Sequence, residues 1–263
     1  MRDVFFVLST GRCGTQALAS WIEAGAAGRA VITHEPILRE YQPRKRATDG
    51  DVNDELPEAA EEHLQWIESV TREQPYIECG HPVWSTIPHL LRRFAGRIHI
   101  LHLVRHPIPT AFSWITHQAY APPYAAHIPT KILIDPFDRA ARHHEYRERW
   151  AALPPHEKAL YYWLEVNDLG LHLAKTSDAP WLTVRFEDFV AGRESAQLAE
   201  FFGIDAPPAA APPNVDRFRY ISDIQWNPEH VHEHPEVVRV AQALGYDVDD
   251  YDSRAIAQRY IAK

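Results

Sequence analysis

Cysteine and methionine are nearly missing from this chain: of 263 residues, two are cysteine and one is methionine. Cys13 and Cys79 cannot build a disulfide framework, and two thiols give no metal cluster, so free thiols in a reducing compartment are expected. No stretch of eighteen apolar residues exists, which leaves no expected transmembrane segment. The N-terminal apolar run is too short, and too closely preceded by Asp3, for a signal peptide. A cytoplasmic protein is therefore expected. Basic excess is also lacking. The net charge of −9 and isoelectric point near 6.0 argue against a nucleic-acid partner, whose phosphates need a clustered basic face. Any phosphate ligand must be met by a local arginine site.

What the chain does have is enough apolar material, 45% of its residues, to bury a full core. At this size a single α/β domain over 1–263 is expected, with 1–204 as core and 205–263 as a C-terminal extension packed on it. The opening run Val4 to Ala19 reads as a buried strand, a phosphate-cradling loop and a helix start. Phe5 to Leu8 are continuously apolar, as in a central parallel strand covered on both faces. Gly11 and Gly14 let the backbone turn sharply and approach a ligand, and Thr15 can cap a helix whose N–H groups and dipole attract an anion. The nucleotide-triphosphatase loop Gly-x-x-x-x-Gly-Lys-Ser/Thr is absent, because Gly14 is followed by Thr15 and Gln16. The charged contact falls to Arg12.

A second strand-like run, Ile98 to Val104, ends at Arg105-His106-Pro107, with Pro107 suited to a first helical turn. An arginine at a strand end and a serine eight residues on, Ser113, can grip one phosphate from two sides. A third segment runs from Leu182 through Arg185-Phe186-Glu187-Asp188-Phe189 and on to Phe202-Gly203-Ile204. Together the three segments resemble the sulfotransferase family, with a loop closer to the carbohydrate and tyrosylprotein enzymes than to the cytosolic type. The resemblance covers about residues 4–204.

That resemblance implies a P-loop-NTPase-like, three-layer α/β/α fold and 3′-phosphoadenosine 5′-phosphosulfate as donor, with no metal. It assigns Gly11, Arg12, Cys13, Gly14, Thr15 and Gln16 to the 5′-phosphosulfate, and Arg105 and Ser113 to the 3′-phosphate. The acceptor would be a hydroxyl or amine of a small molecule or carbohydrate. The membrane-anchored Golgi branch differs in its anchor. It also supplies the precedent for Glu35, after the second strand, as general base; His34 competes, since the cytosolic branch uses histidine. His81 stands where relatives often place a lysine that contacts the departing phosphate. Structural roles compete for all three: a turn cap for Glu35, a satisfied loop histidine for His34, a bystander for His81. Arg217 and Arg219 are candidates to close over the 3′-phosphate.

Elsewhere the pattern predicts a helix over 15–24, strands over 30–33 and 76–79, helices over 57–72 and 87–94, and a polar surface loop over 38–56, which either covers the acceptor pocket or is an inert solvated insertion. Strands alternating with helices predict a mostly parallel, doubly wound sheet with ligands at the strands' carboxyl ends. The segment 119–136, rich in proline and tyrosine, is expected over the site mouth. Residues 137–175 read as helical with a break near Pro154-Pro155, and 206–213 as a stiff connector. Two other functions share this opening: a small-molecule kinase, and a non-catalytic protein that binds adenosine bisphosphate. The acceptor's identity and the oligomeric state are not legible in the sequence.

Overall fold

The computed structural model describes residues 1–37, 56–122, 130–138, 140–205 and 226–260. These fall into two compact units, Met1–Val104 with Gly170–Asn214, and Arg105–Leu169 with Val215–Lys263. The expected acceptor loop over 38–56, the connector, and Arg217 and Arg219 lie almost wholly outside the described residues, as does 123–129 of the proline-rich segment.

The first unit is built on five strands, β1 (Val4–Leu8), β2 (Val31–His34), β3 (Tyr76–Cys79), β4 (Ile98–Val104) and β5 (Trp181–Arg185), in the order β2-β3-β1-β4-β5. Every pairing is parallel, so the sheet is wholly parallel and each connection must cross over, through helices. β1 is buried at all five positions, because both faces of the sheet are covered. On one face Phe5, Val7, Ile77, Cys79, Leu101 and Leu103 pack with Leu18, Trp21 and Ile22 of α1 (Thr15–Ala26). On the other, Phe6 meets Tyr76 and Phe94, and Tyr76 meets Trp66 of α2 (Glu58–Val70). Phe94 closes α3 (Ile87–Arg93).

From β1 the chain moves to one side of the sheet for β2 and β3 and then to the other for β4 and β5. The carboxyl end of β1 is thus the switch point where doubly wound sheets bind ligands. Register places His34, Cys79, Val7 and Leu101 level with one another. The loops that follow β1, β2 and β3 therefore leave the sheet at one edge.

The second unit holds α4 (Pro107–Ile115), most of α5 (Pro155–Thr176), α8 (Pro235–Ala243) and α9 (Ser253–Tyr260). The first unit completes its cover with α6 (Phe186–Val190) and α7 (Ser195–Phe202). Several boundaries differ from the sequence reading. α1 runs through Gly25 to Ala26 and stops at Ala27 and Gly28, both left-handed, because the Gly25 carbonyl is taken up by Arg29 Nη2 and the Asp205 N–H. β2 extends to His34, so that residue ends the strand instead of following it. The described residues of 137–154 are not α-helical: turns and a short 3-10 helix, His144–Glu148, stand there. The N–H groups of Arg142 and His143 donate to the buried Glu165 carboxylate, which replaces the helical acceptors. Pro155 starts α5; the expected break is a helix beginning. Of the proline-rich segment, Ala119 and Lys131 form a bridge, and the Tyr120 hydroxyl donates to Ile134 O at 2.5 Å and accepts from Ile134 N.

Candidate active site

The loop after β1 is tied down by its own side chains. Gly11 N–H donates to Ser9 Oγ at 2.9 Å, while Thr10 Oγ1 and Cys13 Sγ both donate to Gly11 O, at 2.9 and 3.1 Å. With its carbonyl bound twice inside the protein, the turn can hold Gly11, Arg12 and Gly14 at φ of 70°, 60° and 78°. A left-handed pair such as Gly11 and Arg12 is the kind of turn that gathers N–H groups into an anion-binding concavity. Gly14 is the N-cap of α1 and supplies no side-chain bond, so the helix's first N–H groups, at Thr15, Gln16 and Ala17, have no intrahelical acceptor. Thr15 does not cap the helix as expected. It sits in the first turn, and its Oγ1 lies 3.1 Å from His34 Nε2.

The loops after β2 and β3 converge on a carboxylate. Glu35 has φ 50°, left-handed for a non-glycine residue, and is held there by its N–H donating to Cys79 O at 3.1 Å. His81 Nδ1 is 2.9 Å from Glu35 Oε1, and His34 Nε2 is 4.0 Å from the same oxygen. Thr15, His34, Glu35 and His81 are therefore brought together in one chain of contacts from the start of α1 across the ends of β2 and β3. Burial raises the Glu35 pKa, but the hydrogen bond and charge of His81, with a smaller effect from His34, more than reverse this and leave it below the ordinary carboxylate value. Burial pushes His34 below the usual imidazole value, against the attraction of Glu35 and with the repulsion of His81. Near pH 7 the carboxylate is thus ionised and His34 neutral. An ionised carboxylate only accepts, so the proton of the 2.9 Å contact sits on His81 Nδ1.

The structural roles of three residues here, Gly80, Phe186 and Asp188, are not legible in the sequence. A Cβ on Gly80 would stand 2.7 Å from Glu35 Cγ and 3.1 Å from Glu35 N, so glycine there admits the carboxylate. A Cβ on Gly14 would stand 2.6 Å from Phe186 Cε2, so the aromatic of the third motif packs under the loop after β1. Asp188 of that motif is buried and accepts from Arg185 Nε at 2.6 Å and Arg193 Nε at 2.7 Å, which anchors β5 to α6. Phe186 and Asp188 lie within the quoted motif, while Gly80 carried no signal beyond following a strand.

Arg105 and Ser113 both belong to the second unit. Arg105 follows β4 directly, is buried, and its carbonyl accepts from Trp163 Nε1 at 2.9 Å. His106 caps α4: its Nδ1 accepts from Ile108 N, which leaves its Nε2–H to donate to Asp247 O at 2.9 Å. Ser113 lies two turns into α4 and is fully buried. Among the described residues, no group of three or more His, Cys, Asp or Glu side chains is placed to hold a metal ion, and no helix is long and apolar enough to cross a membrane.

No protein-family model matches the sequence, and no curated protein matches it either. Solved structures do. The sulfotransferase of Alicyclobacillus acidocaldarius is 16% identical, covering 94% of this chain and 97% of its own, with a TM-score of 0.54. A mouse sulfotransferase complexed with PAP is 19% identical over 95% of this chain and 89% of its own, also at 0.54. The sulfotransferase domain of the Synechococcus olefin synthase is 17% identical over 94% and 95%, at 0.51. The chain has the α/β fold of the sulfotransferases, and the resemblance read from its three motifs agrees with that fold.

Proposed function

We propose that this protein is a sulfotransferase that moves a sulfuryl group from 3′-phosphoadenosine 5′-phosphosulfate to a hydroxyl or amine of a small-molecule or carbohydrate acceptor. The observation that carries the reading is the ionised Glu35 carboxylate, hydrogen-bonded to His81, at the same sheet edge as the left-handed loop of Gly11, Arg12 and Gly14. A structural relative that binds PAP supports the choice of donor.

The loop from Gly11 to Gln16 has what a phosphosulfate needs: a positive φ pair, open helix N–H groups and the Arg12 guanidinium. Arg105 and Ser113 are assigned to the 3′-phosphate. The donor supplies an electrophilic sulfur: the acceptor oxygen or nitrogen bonds to it as the sulfur–oxygen bond to the 5′-phosphate breaks. Arg12 and the loop amides take up the charge left on that phosphate. The acceptor's proton passes to the Glu35–His81 pair, which acts as one unit. Glu35 holds the Nδ1 proton and fixes the ring, and the couple spreads the positive charge gained when a proton arrives. His34, neutral and bonded to Thr15, is not needed as the base.

The test is turnover with labelled donor and a metabolite extract, with labelled products identified by mass spectrometry. Glu35→Gln keeps shape and hydrogen bonding but removes basicity, and is expected to lower the rate by about 10²–10⁴ with bisphosphate binding retained. Absence of any transfer by the wild type, with bisphosphate binding intact, would leave a binding protein and not an enzyme. Equal rates for Glu35→Gln and wild type would remove the carboxylate from the mechanism.

A further inference from the structure

His34 is the member of the contact chain that the transfer chemistry leaves without work, yet its ring nitrogen is fixed against another element. It ends the edge strand β2, three of whose four residues are only partly buried and the fourth, His34 itself, exposed. Its Nε2 is directed at a buried hydroxyl on another element, Thr15 in the first turn of α1, at 3.1 Å. Three groups face the ring: Thr15 from α1, Glu35 from the turn after β2, and His81 from the loop after β3. Nδ1 makes no hydrogen bond among the described residues, and 30% of the side chain is exposed, so the ring can exchange protons with water.

The Thr15 hydroxyl has one proton to give. Without an anion on the loop, it can donate that proton to the neutral His34 Nε2. An oxyanion at the start of α1 competes for it, and the hydroxyl can serve both only if Nε2 carries a hydrogen and becomes the donor. In the neutral ring whose Nε2 accepts, the hydrogen is already on Nδ1. A tautomer shift alone would move it to Nε2 without charge, whereas uptake of one solvent proton keeps Nδ1–H, gives Nε2 a hydrogen of its own and adds a positive charge beside the anion. Resting on the donor reading above, we infer that His34 is a donor-positioning residue and not a general base: it hydrogen-bonds the phosphate-bearing end of the donor through the Thr15 hydroxyl and takes up one proton as the donor binds. The atoms balance simply: one solvent proton moves to the imidazole, and no covalent bond of the donor changes. Burial and His81 oppose that charge in the empty site and Glu35 favours it. A bound anion tips the balance toward the charged form.

The sign follows from linkage. A group whose proton affinity rises on ligand binding makes binding tighter at low pH, by up to about tenfold per pH unit between its free and bound pKa values. The ligand's own phosphates titrate near pH 6 and act in the opposite direction, so the comparison is between variants at each pH. The probe is adenosine 3′,5′-bisphosphate, measured by calorimetry between pH 5.5 and 8.5 in buffers of different ionisation enthalpy. His34→Gln keeps a neutral partner for Thr15 but cannot be charged. It is expected to bind as tightly as wild type at pH 8.5 and roughly tenfold more weakly at pH 6, with less proton uptake. Thr15→Val, which cuts the link while leaving His34 in place, is expected to lose the same pH-dependent advantage. If His34→Gln keeps a constant affinity ratio to wild type across the range, or Thr15→Val retains the wild-type proton uptake, the inference falls while the donor reading stands. If the wild type binds no bisphosphate at any pH, both fall together.

Discussion

Replacing Gly80 by alanine tests whether the site depends on where Glu35 is held. The added Cβ would stand 2.7 Å from Glu35 Cγ, 3.1 Å from its N and 3.2 Å from its Cα. Ordinary carbon contact begins near 3.4 Å, so the Cγ must withdraw by about 0.7 Å (3.4 less 2.7). The backbone cannot absorb much of that, since the Glu35 N–H is bonded to Cys79 O at 3.1 Å and φ is already 50°. The side chain must move instead. If the carboxylate follows its Cγ directly away from His81, the 2.9 Å contact opens to about 3.6 Å, past hydrogen-bond range. Overpacking of this kind costs roughly 1–3 kcal/mol of stability. The larger effect is expected on turnover, because displacement of a catalytic group by about 1 Å can cost on the order of 10²-fold. Bisphosphate affinity, which the proposal assigns to other loops, is expected to change less than threefold, which is under about 0.7 kcal/mol. Melting curves, bisphosphate titration and turnover with labelled donor measure the three effects. Wild-type turnover in Gly80→Ala would show that the position of Glu35 does not matter to the reaction, and the argument for the Glu35–His81 pair would fail.

Arg105→Ala is expected to weaken binding of adenosine 3′,5′-bisphosphate by roughly ten- to a hundredfold, the loss of one charge-assisted contact, while a ligand without the 3′-phosphate binds nearly as before; equal weakening of both would make Arg105 structural. His156 is almost wholly buried with neither ring nitrogen hydrogen-bonded among the described residues, and burial, then His234 and His230, push its pKa down to about 3. Unfolding frees it to take a proton near its ordinary value of 6.5, so this contribution to stability is intact above pH 6.5 and is lost as pH falls toward 3. It amounts to about 2 kcal/mol by pH 5. His156→Leu is expected to remove this arm, so that the variant gains on wild type by about that amount between pH 8 and pH 5 in denaturant titrations, and parallel pH curves would refute it.

The parts of this protein that were legible in its sequence are those whose cause is local. Phe5 to Leu8 announce a buried strand by composition, and the spacing of Gly11 and Gly14 announces a turn within four residues of it. The parts that were not legible depend on a partner far along the chain. Residues 137–154 have an apolar pattern that suits a helix, but the carboxylate that captures the N–H groups of Arg142 and His143 belongs to Glu165, more than twenty positions on. Gly80 looks like any strand-ending glycine until Glu35, 45 positions earlier, is seen to fill the space its Cβ would take. Thr15 and His34 each had a sufficient local role, a helix cap and a loop histidine, and their contact across 19 positions follows only from the strand order that brings β2 beside β3 and β3 beside β1.

Backbone conformation adds an argument that composition could not. Five non-glycine residues among those described have positive φ: Arg12, Ala27, Glu35, Gln118 and Tyr120. Such a conformation costs about 1–2 kcal/mol that glycine would not incur. Ala27 ends a helix, and Tyr120 is fixed by the two hydrogen bonds of its hydroxyl to Ile134. Arg12 sits in the turn tied by the Gly11 carbonyl, and Glu35 is held by its N–H bond to Cys79 O. They stand at the carboxyl ends of β1 and β2, in loops where glycine already serves at positions 11, 14 and 80. Glycine at 12 or 35 would relieve the strain and lose only a side chain. The strain is therefore retained together with one guanidinium and one carboxylate, which follow β1 and β2, on either side of β3, at the same sheet edge. In the sulfuryl transfer proposed above, Arg12 would be the cation for the departing phosphate and Glu35 the anion for the arriving proton, and strained residues at a functional site are the expected form of such a requirement.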